Sequence, residues 1–120
     1  MIGTTNVPAP GIISFRKMNR IQTLAFPAAS WVGPNANGLY TQIIVITGYD
    51  GTTPTADDRP EIFFNADKAR EKGVITSASD YEDYMECCGY ISSFITGTGT
   101  LRATAFDKPD MDIWVDIKGV

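Results

Sequence analysis

Histidine is absent from the chain, which has 120 residues. With it goes the usual base for activating a serine, threonine or cysteine nucleophile. The commonest ligand of a transition metal is missing too. Lysine could replace histidine as the base, but no serine–lysine pairing stands out. Cysteine is nearly absent: Cys87 and Cys88 are neighbours, a spacing that strains any disulfide between them. On a helix their side chains diverge by about 100°, so one buried thiol and one at the helix edge are expected, with no metal site. Basic residues are outnumbered, 10 against 14 acidic, for a net charge of −4. The densest basic stretch is Arg16-Lys17 with Arg20, too little to neutralise a phosphate backbone, so nucleic acid is not an expected partner. No apolar run approaches the length of a membrane-spanning helix, and no membrane insertion is expected. The start, Met1-Ile2-Gly3-Thr4-Thr5, lacks the basic and apolar regions of a signal peptide. Synthesis in a cytoplasm, followed by assembly or release, is the expectation.

What is present describes an ordinary globular chain. Hydrophobic residues make up 43% and charged residues 20%, enough to build one core at the commonest domain size. Two prolines and a glycine in Asn6-Val7-Pro8-Ala9-Pro10-Gly11 favour an extended path. Residues 1–19 therefore read as an N-terminal arm, with Ile12, Ile13 and Phe15 as candidate contacts to another subunit. Residues 20–120 read as one β-rich domain.

Short strands follow, separated by turn residues. Ile21–Phe26 ends at Pro27, and Tyr40–Thr47 is dense in β-branched side chains up to Gly48. Both faces of Tyr40–Thr47 are partly apolar, which predicts cover on both sides. Glu61–Phe64 is a short strand, and Asn65–Gly73 is expected to form a turn of helix. A helix over 79–88 is predicted by Ser79 and Glu82 as a capping box and by acidic residues in its first turn. Tyr81, Tyr84, Met85 and Cys88 give it one apolar face, and Gly89 is placed to end it. The segments Tyr90–Thr96 and Thr100–Phe106 flank Gly97-Thr98-Gly99 as a hairpin. In the last strand Met111, Ile113, Val115 and Ile117 alternate with Asp112, Trp114, Asp116 and Lys118. The fold expected is α+β and mainly β: an antiparallel sandwich with one helix packed on a sheet.

Chemistry is harder to find. Asp80, Glu82, Asp83 and Glu86 belong to a helix start and its exposed face. Asp107, Asp110, Asp112 and Asp116 belong to a turn and the polar side of a strand, and the turn lacks the pattern of a calcium loop. A glycoside-hydrolase-like pair of carboxylates would have to face one pocket, which no spacing here indicates. Gly97-Thr98-Gly99 leads into a strand, so it is not a phosphate-cradling loop. No catalytic residue and no cofactor is expected. Trp114, on a charged strand face, is either packed under the helix or a loop or a candidate protein contact. Trp31, beside an asparagine-rich loop, is a core anchor or a ligand platform, and Tyr49 is a second candidate platform.

Trp31-Val32-Gly33, then Leu39-Tyr40-Thr41-Gln42-Ile43-Ile44-Val45-Ile46-Thr47-Gly48, carries a resemblance. With Asp80–Cys88, Thr96–Phe106, Lys108-Pro109 and the closing Val115–Val120, it resembles a module of tail- and fibre-associated proteins of phages and prophages of Gram-positive bacteria. The likeness spans about residues 21–120. The longer middle, Tyr49–Thr76, and the cysteine pair depart from the pattern. The resemblance implies a non-enzymatic virion structural protein of a tail fibre, baseplate or head appendage. Such a protein would oligomerise with itself and bind other virion proteins, in a virion assembled after synthesis in the bacterial host cytoplasm. Two alternatives stand beside it: a carbohydrate-binding sandwich module that recognises a host-surface glycan, and a capsid decoration protein.

Overall fold

A computed structural model of the chain describes residues 16–120. Its elements run β1 (Ile21–Phe26), β2 (Tyr40–Val45), β3 (Glu61–Phe64), α1 (Ala66–Glu71), α2 (Ala78–Tyr90), β4 (Ile91–Gly97), β5 (Thr100–Ala105) and β6 (Ile113–Lys118). Residues 16–19 are also helical, so the end of the expected extended arm is not extended; the rest of it, residues 1–15, lies outside the described residues. Helical structure is thus not confined to the single helix expected near 79–88.

The strands form two antiparallel three-stranded sheets, ordered β1-β6-β3 and β2-β5-β4. Each sheet is built around the strand with the cleanest alternation. In β6, Ile113, Val115 and Ile117 are buried, and in β5, Leu101, Ala103 and Ala105 are buried. Side chains directly opposite across an antiparallel pair share a face. Phe26 and Leu24 therefore point inward with Ile113 and Val115, and Phe94 points inward with Ala103. The Phe94 ring meets Phe26 at 5.9 Å and Phe64 at 6.0 Å, joining the two sheets into a sandwich. Each fully buried Leu, Ile or Val contributes roughly 1.5–3 kcal/mol. The protein is a mainly β α+β fold. The β4–β5 hairpin turns at Gly99, whose φ of +66° suits glycine.

The helices differ from expectation at their ends. The cap of α2 is Ser77, whose Oγ accepts from the Asp80 amide at 3.1 Å, and not Ser79. Asp80 reaches back to accept from the Thr76 amide at 2.9 Å and the Thr76 hydroxyl at 2.7 Å. This does with Asp80 what the capping box was expected to do with Glu82. Gly89 does not end the helix: α2 continues through Tyr90 and runs directly into β4. Its buried face is Tyr84, Cys87 and Cys88, while Tyr81 and Met85 are exposed. Both thiols are therefore interior, where one was expected at the edge. Asn65 caps α1 by accepting from the Lys68 amide at 2.9 Å, and its side-chain nitrogen donates to Asp116 at 3.0 Å.

The Tyr84 side chain ties helix α2 to β6. Strand β3 stops at Phe64, so the next backbone groups of β6 lose their strand partner. The Asn65 amide takes the Trp114 carbonyl at 2.8 Å, and the Tyr84 hydroxyl accepts from the Trp114 amide at 3.0 Å. The phenol's own proton can go to the Trp114 carbonyl at 3.4 Å or the Asn65 carbonyl at 3.5 Å. Burial pushes its pKa up to about 12, so the donor stays protonated at any physiological pH.

Candidate functional site

Among the described residues, several exposed apolar side chains gather on the outer face of the β2-β5-β4 sheet. Its construction follows from β5, where Leu101, Ala103 and Ala105 point inward and Thr100, Arg102 and Thr104 must point outward. Register then carries Thr41, Ile43 and Val45 of β2 and Ser93, Ile95 and Gly97 of β4 to the outer side. Ile43 is 63% exposed, Val45 74% and Ile95 49%. Val32, 70% exposed, joins them through its bridge to Thr41. The expectation that β2 is covered on both sides is thus corrected: Gln42 and Ile44 face the core, while Ile43 and Val45 face solvent. The alternation of β5 was the signal that separates these faces, because it marks the Arg102 side as the outside.

One row crosses this face from edge to edge: Ile43, Arg102, Ile95. Arg102 is exposed and makes no ion pair among the described residues. The face thus carries a single cation at its centre, flanked by two isoleucines, with threonine and serine hydroxyls along one side. The row presents two apolar side chains and one positive charge to solvent.

The β2 edge is closed at both ends. Val32 exchanges two backbone hydrogen bonds with Thr41, at 2.8 and 2.9 Å. At the other end Gln22 accepts from the Thr47 amide at 3.2 Å, and Arg20 donates to the Thr47 carbonyl at 2.9 Å. The backbone groups of Ile43 and Val45 point the same way by the ladder's alternation. They are left as a short window, too small to template a long strand.

The residues singled out from sequence do not meet at one site. Ile12, Ile13 and Phe15 lie outside the described residues. Trp31 is 7% exposed and stacks on Phe26 at 6.0 Å, so its ring belongs to the core and offers no free face to a ligand. Trp114 is half-buried on the outer face of the β1-β6-β3 sheet, and the Lys72 ammonium lies 5.8 Å from its ring. Neither indole nitrogen has an acceptor among the described residues. Tyr49 is half-buried in a separate cleft of about 290 Å³, together with Lys17, Gly48, Thr52, Pro54 and Asp58.

Three of the acids flagged along the chain, Asp110, Asp112 and Asp116, are engaged in holding the fold. Asp112 accepts from the Ala28 amide at 2.7 Å, and Asp116 from the Thr23 hydroxyl at 2.6 Å. Asp110 accepts from the Cys87 thiol at 3.2 Å. Burial raises the pKa of Cys87 and pushes Cys88 up to about 12. Among the described residues no group of three or more cysteines and carboxylates gathers where a metal ion could be held. Nor is any helix long and apolar enough to cross a membrane.

Comparison with protein-family models, with curated proteins and with solved structures finds no match to this chain.

Proposed function

We propose that this domain is a non-enzymatic structural part of a phage virion, in a tail fibre, baseplate or head appendage, that assembles through protein–protein contacts. The observation that carries the assembly reading is the open β2-β5-β4 face. Exposed β-branched residues on one sheet face, with Ile43, Val45 and Ile95 in adjoining rows, mark a surface built to be covered. The virion setting rests on the sequence resemblance over residues 21–120. The test is fractionation of particles from the strain that carries the gene. Co-sedimentation of the chain with purified particles, and its loss from them on Ile43→Asp, is the expected result. A chain found only in the soluble fraction overturns the reading.

A carbohydrate-binding role is a second reading, and it now rests on Tyr49 alone. The cleft that Tyr49 lines has polar neighbours in Thr52, Asp58 and Lys17, the mixture of an aromatic face and hydrogen-bonding groups that sugars require. Glycan-array binding lost on Tyr49→Ala, with folding intact, supports it; an array without signal removes it.

A further inference from the structure

We propose that Asn37 is a site of self-modification: its side-chain amide is lost through a cyclic imide with the Gly38 nitrogen, and Asn35 sets the rate. This reactivity is independent of the assembly reading above.

Among the described residues the asparagines are Asn19, Asn35, Asn37 and Asn65. Imide formation needs a free side-chain amide and a following backbone nitrogen that can reach it. Asn65 offers neither: its Oδ1 accepts from the Lys68 amide, its side-chain nitrogen donates to Asp116, and Ala66 already lies in α1. Asn19 is followed by Arg20, a bulky residue tied to Thr47 and Val120. Asn35 is engaged in the loop, where its Oδ1 accepts from the Asn37 amide at 2.8 Å and the Leu39 amide at 3.0 Å. Asn37 is exposed, and its side chain makes no hydrogen bond among the described residues. Gly38 follows it at φ +77°, with no other residue within 4 Å of where a Cβ would sit. A glycine at this place has no side chain to hinder the approach, and its backbone turns freely.

The only co-reactant required is water. The Gly38 nitrogen gives its proton to solvent base and attacks Asn37 Cγ. The bond from Cγ to the side-chain nitrogen breaks, and that nitrogen leaves as ammonia. Water then opens the imide ring at either carbonyl. One opening leaves aspartate, and the other leaves isoaspartate, with the chain running through the former side chain. Either product adds one negative charge to the net −4.

One contact opposes the step. The Gly38 amide donates to the Asn35 carbonyl at 2.9 Å, closing a turn and engaging the nitrogen that must attack. Reaction therefore waits for the turn to open. Residues 32–38 are all exposed, so opening uncovers no buried side chain and is held back by a few hydrogen bonds. The two bonds to Asn35 Oδ1 are among them. Asn35 thus guards its neighbour.

The test incubates the folded full chain in mildly alkaline buffer and follows each asparagine by peptide mass spectrometry, with an isoaspartyl methyltransferase to label the rearranged product. Asn37 converts to both products, while Asn19, Asn35 and Asn65 keep their amides over the same period. Asn37→Gln removes the signal, since glutamine must close a larger and slower ring. Asn35→Ala speeds conversion on the order of tenfold, as expected when about two hydrogen bonds leave the closed turn. Asn35→Asp keeps the accepting oxygen and converts at the wild-type rate. Far-ultraviolet dichroism of each variant matches wild type, which separates an opened turn from an unfolded chain. Conversion spread evenly over the asparagines, or faster elsewhere than at Asn37, overturns the proposal. Asn35→Ala that converts no faster than wild type overturns it too.

Discussion

The Tyr84 hydroxyl accepts the Trp114 amide hydrogen at 3.0 Å, standing in for the strand residue that β3 does not provide. Tyr84 is fully buried. Tyr84→Phe keeps the ring and removes the acceptor, leaving a buried donor unsatisfied at a cost of about 1–3 kcal/mol. The expected outcome is a lower urea midpoint at unchanged slope. A midpoint equal to wild type would mean that water reaches the amide.

The start of α2 gives a prediction that separates two neighbouring serines. Ser77 accepts from the Asp80 amide, whereas no such bond is made by Ser79. Ser77→Ala is expected to cost about 1 kcal/mol, the usual loss of a cap. Ser79→Ala is expected to stay within about 0.5 kcal/mol, as at an ordinary surface site. Paired urea titrations of the two variants check the contrast, which would reverse if the helix began two residues later.

Acid should weaken the fold through two aspartates. The Thr55 amide, with Lys17 beside it, holds the Asp58 carboxyl below its ordinary pKa, and the Thr76 hydroxyl and amide do the same for Asp80. A carboxylate whose pKa is lower when folded stabilises the protein above its unfolded value, about 3.9 for aspartate. That contribution is lost as pH falls through the lowered folded values. Thermal midpoints should therefore be insensitive to these two groups near neutrality and fall once the pH drops below about 4. Asp58→Asn and Asp80→Asn should each make the acid limb shallower, and unchanged limbs would deny both groups a part.

The thiols should be silent in the folded protein. With the Cys88 pKa pushed up to about 12 by burial, its thiolate fraction at mildly alkaline pH is on the order of one in ten thousand. Alkylation by iodoacetamide, followed by mass spectrometry, should be slower than in urea by at least about 100-fold at both positions. Rapid labelling of the native chain at Cys87 or Cys88 would show that α2 opens from the core.

Much of this architecture was legible because alternation survives in the strands at the centre of each sheet. In the stretch that ends in β6, Met111, Ile113, Val115 and Ile117 fall on one side with Trp114 alone among the charges on the other, so its inner face could be read directly, as could the hairpin at Gly99 and the strand β3. Strand β2 could not be assigned in isolation, because isoleucine and valine look the same in a core and on a face awaiting cover. Only its pairing with Arg102 and Thr104 settles which side is out. The order of strands within the two sheets was hidden for a different reason: β6 closes on β1 from the far end of the chain, a contact no local pattern encodes. The helix start was misread because Thr76-Ser77-Ala78-Ser79-Asp80 offers two serines and the nearer acid completes the cap. Trp31 was ambiguous until its ring was found on Phe26.

Ile21, where β1 begins, sits opposite Lys118, where β6 ends, and Arg20 bonds to the Val120 carbonyl at 3.3 Å. The two ends of the described chain therefore leave the sandwich side by side. A load applied between them would not shear the β1–β6 ladder along its length. It would open the ladder like a zipper, one hydrogen bond at a time, beginning at the Arg20 clasp. Tethered by both ends, this domain is mechanically soft, whereas traction through its outer faces would bear on the whole sheet at once.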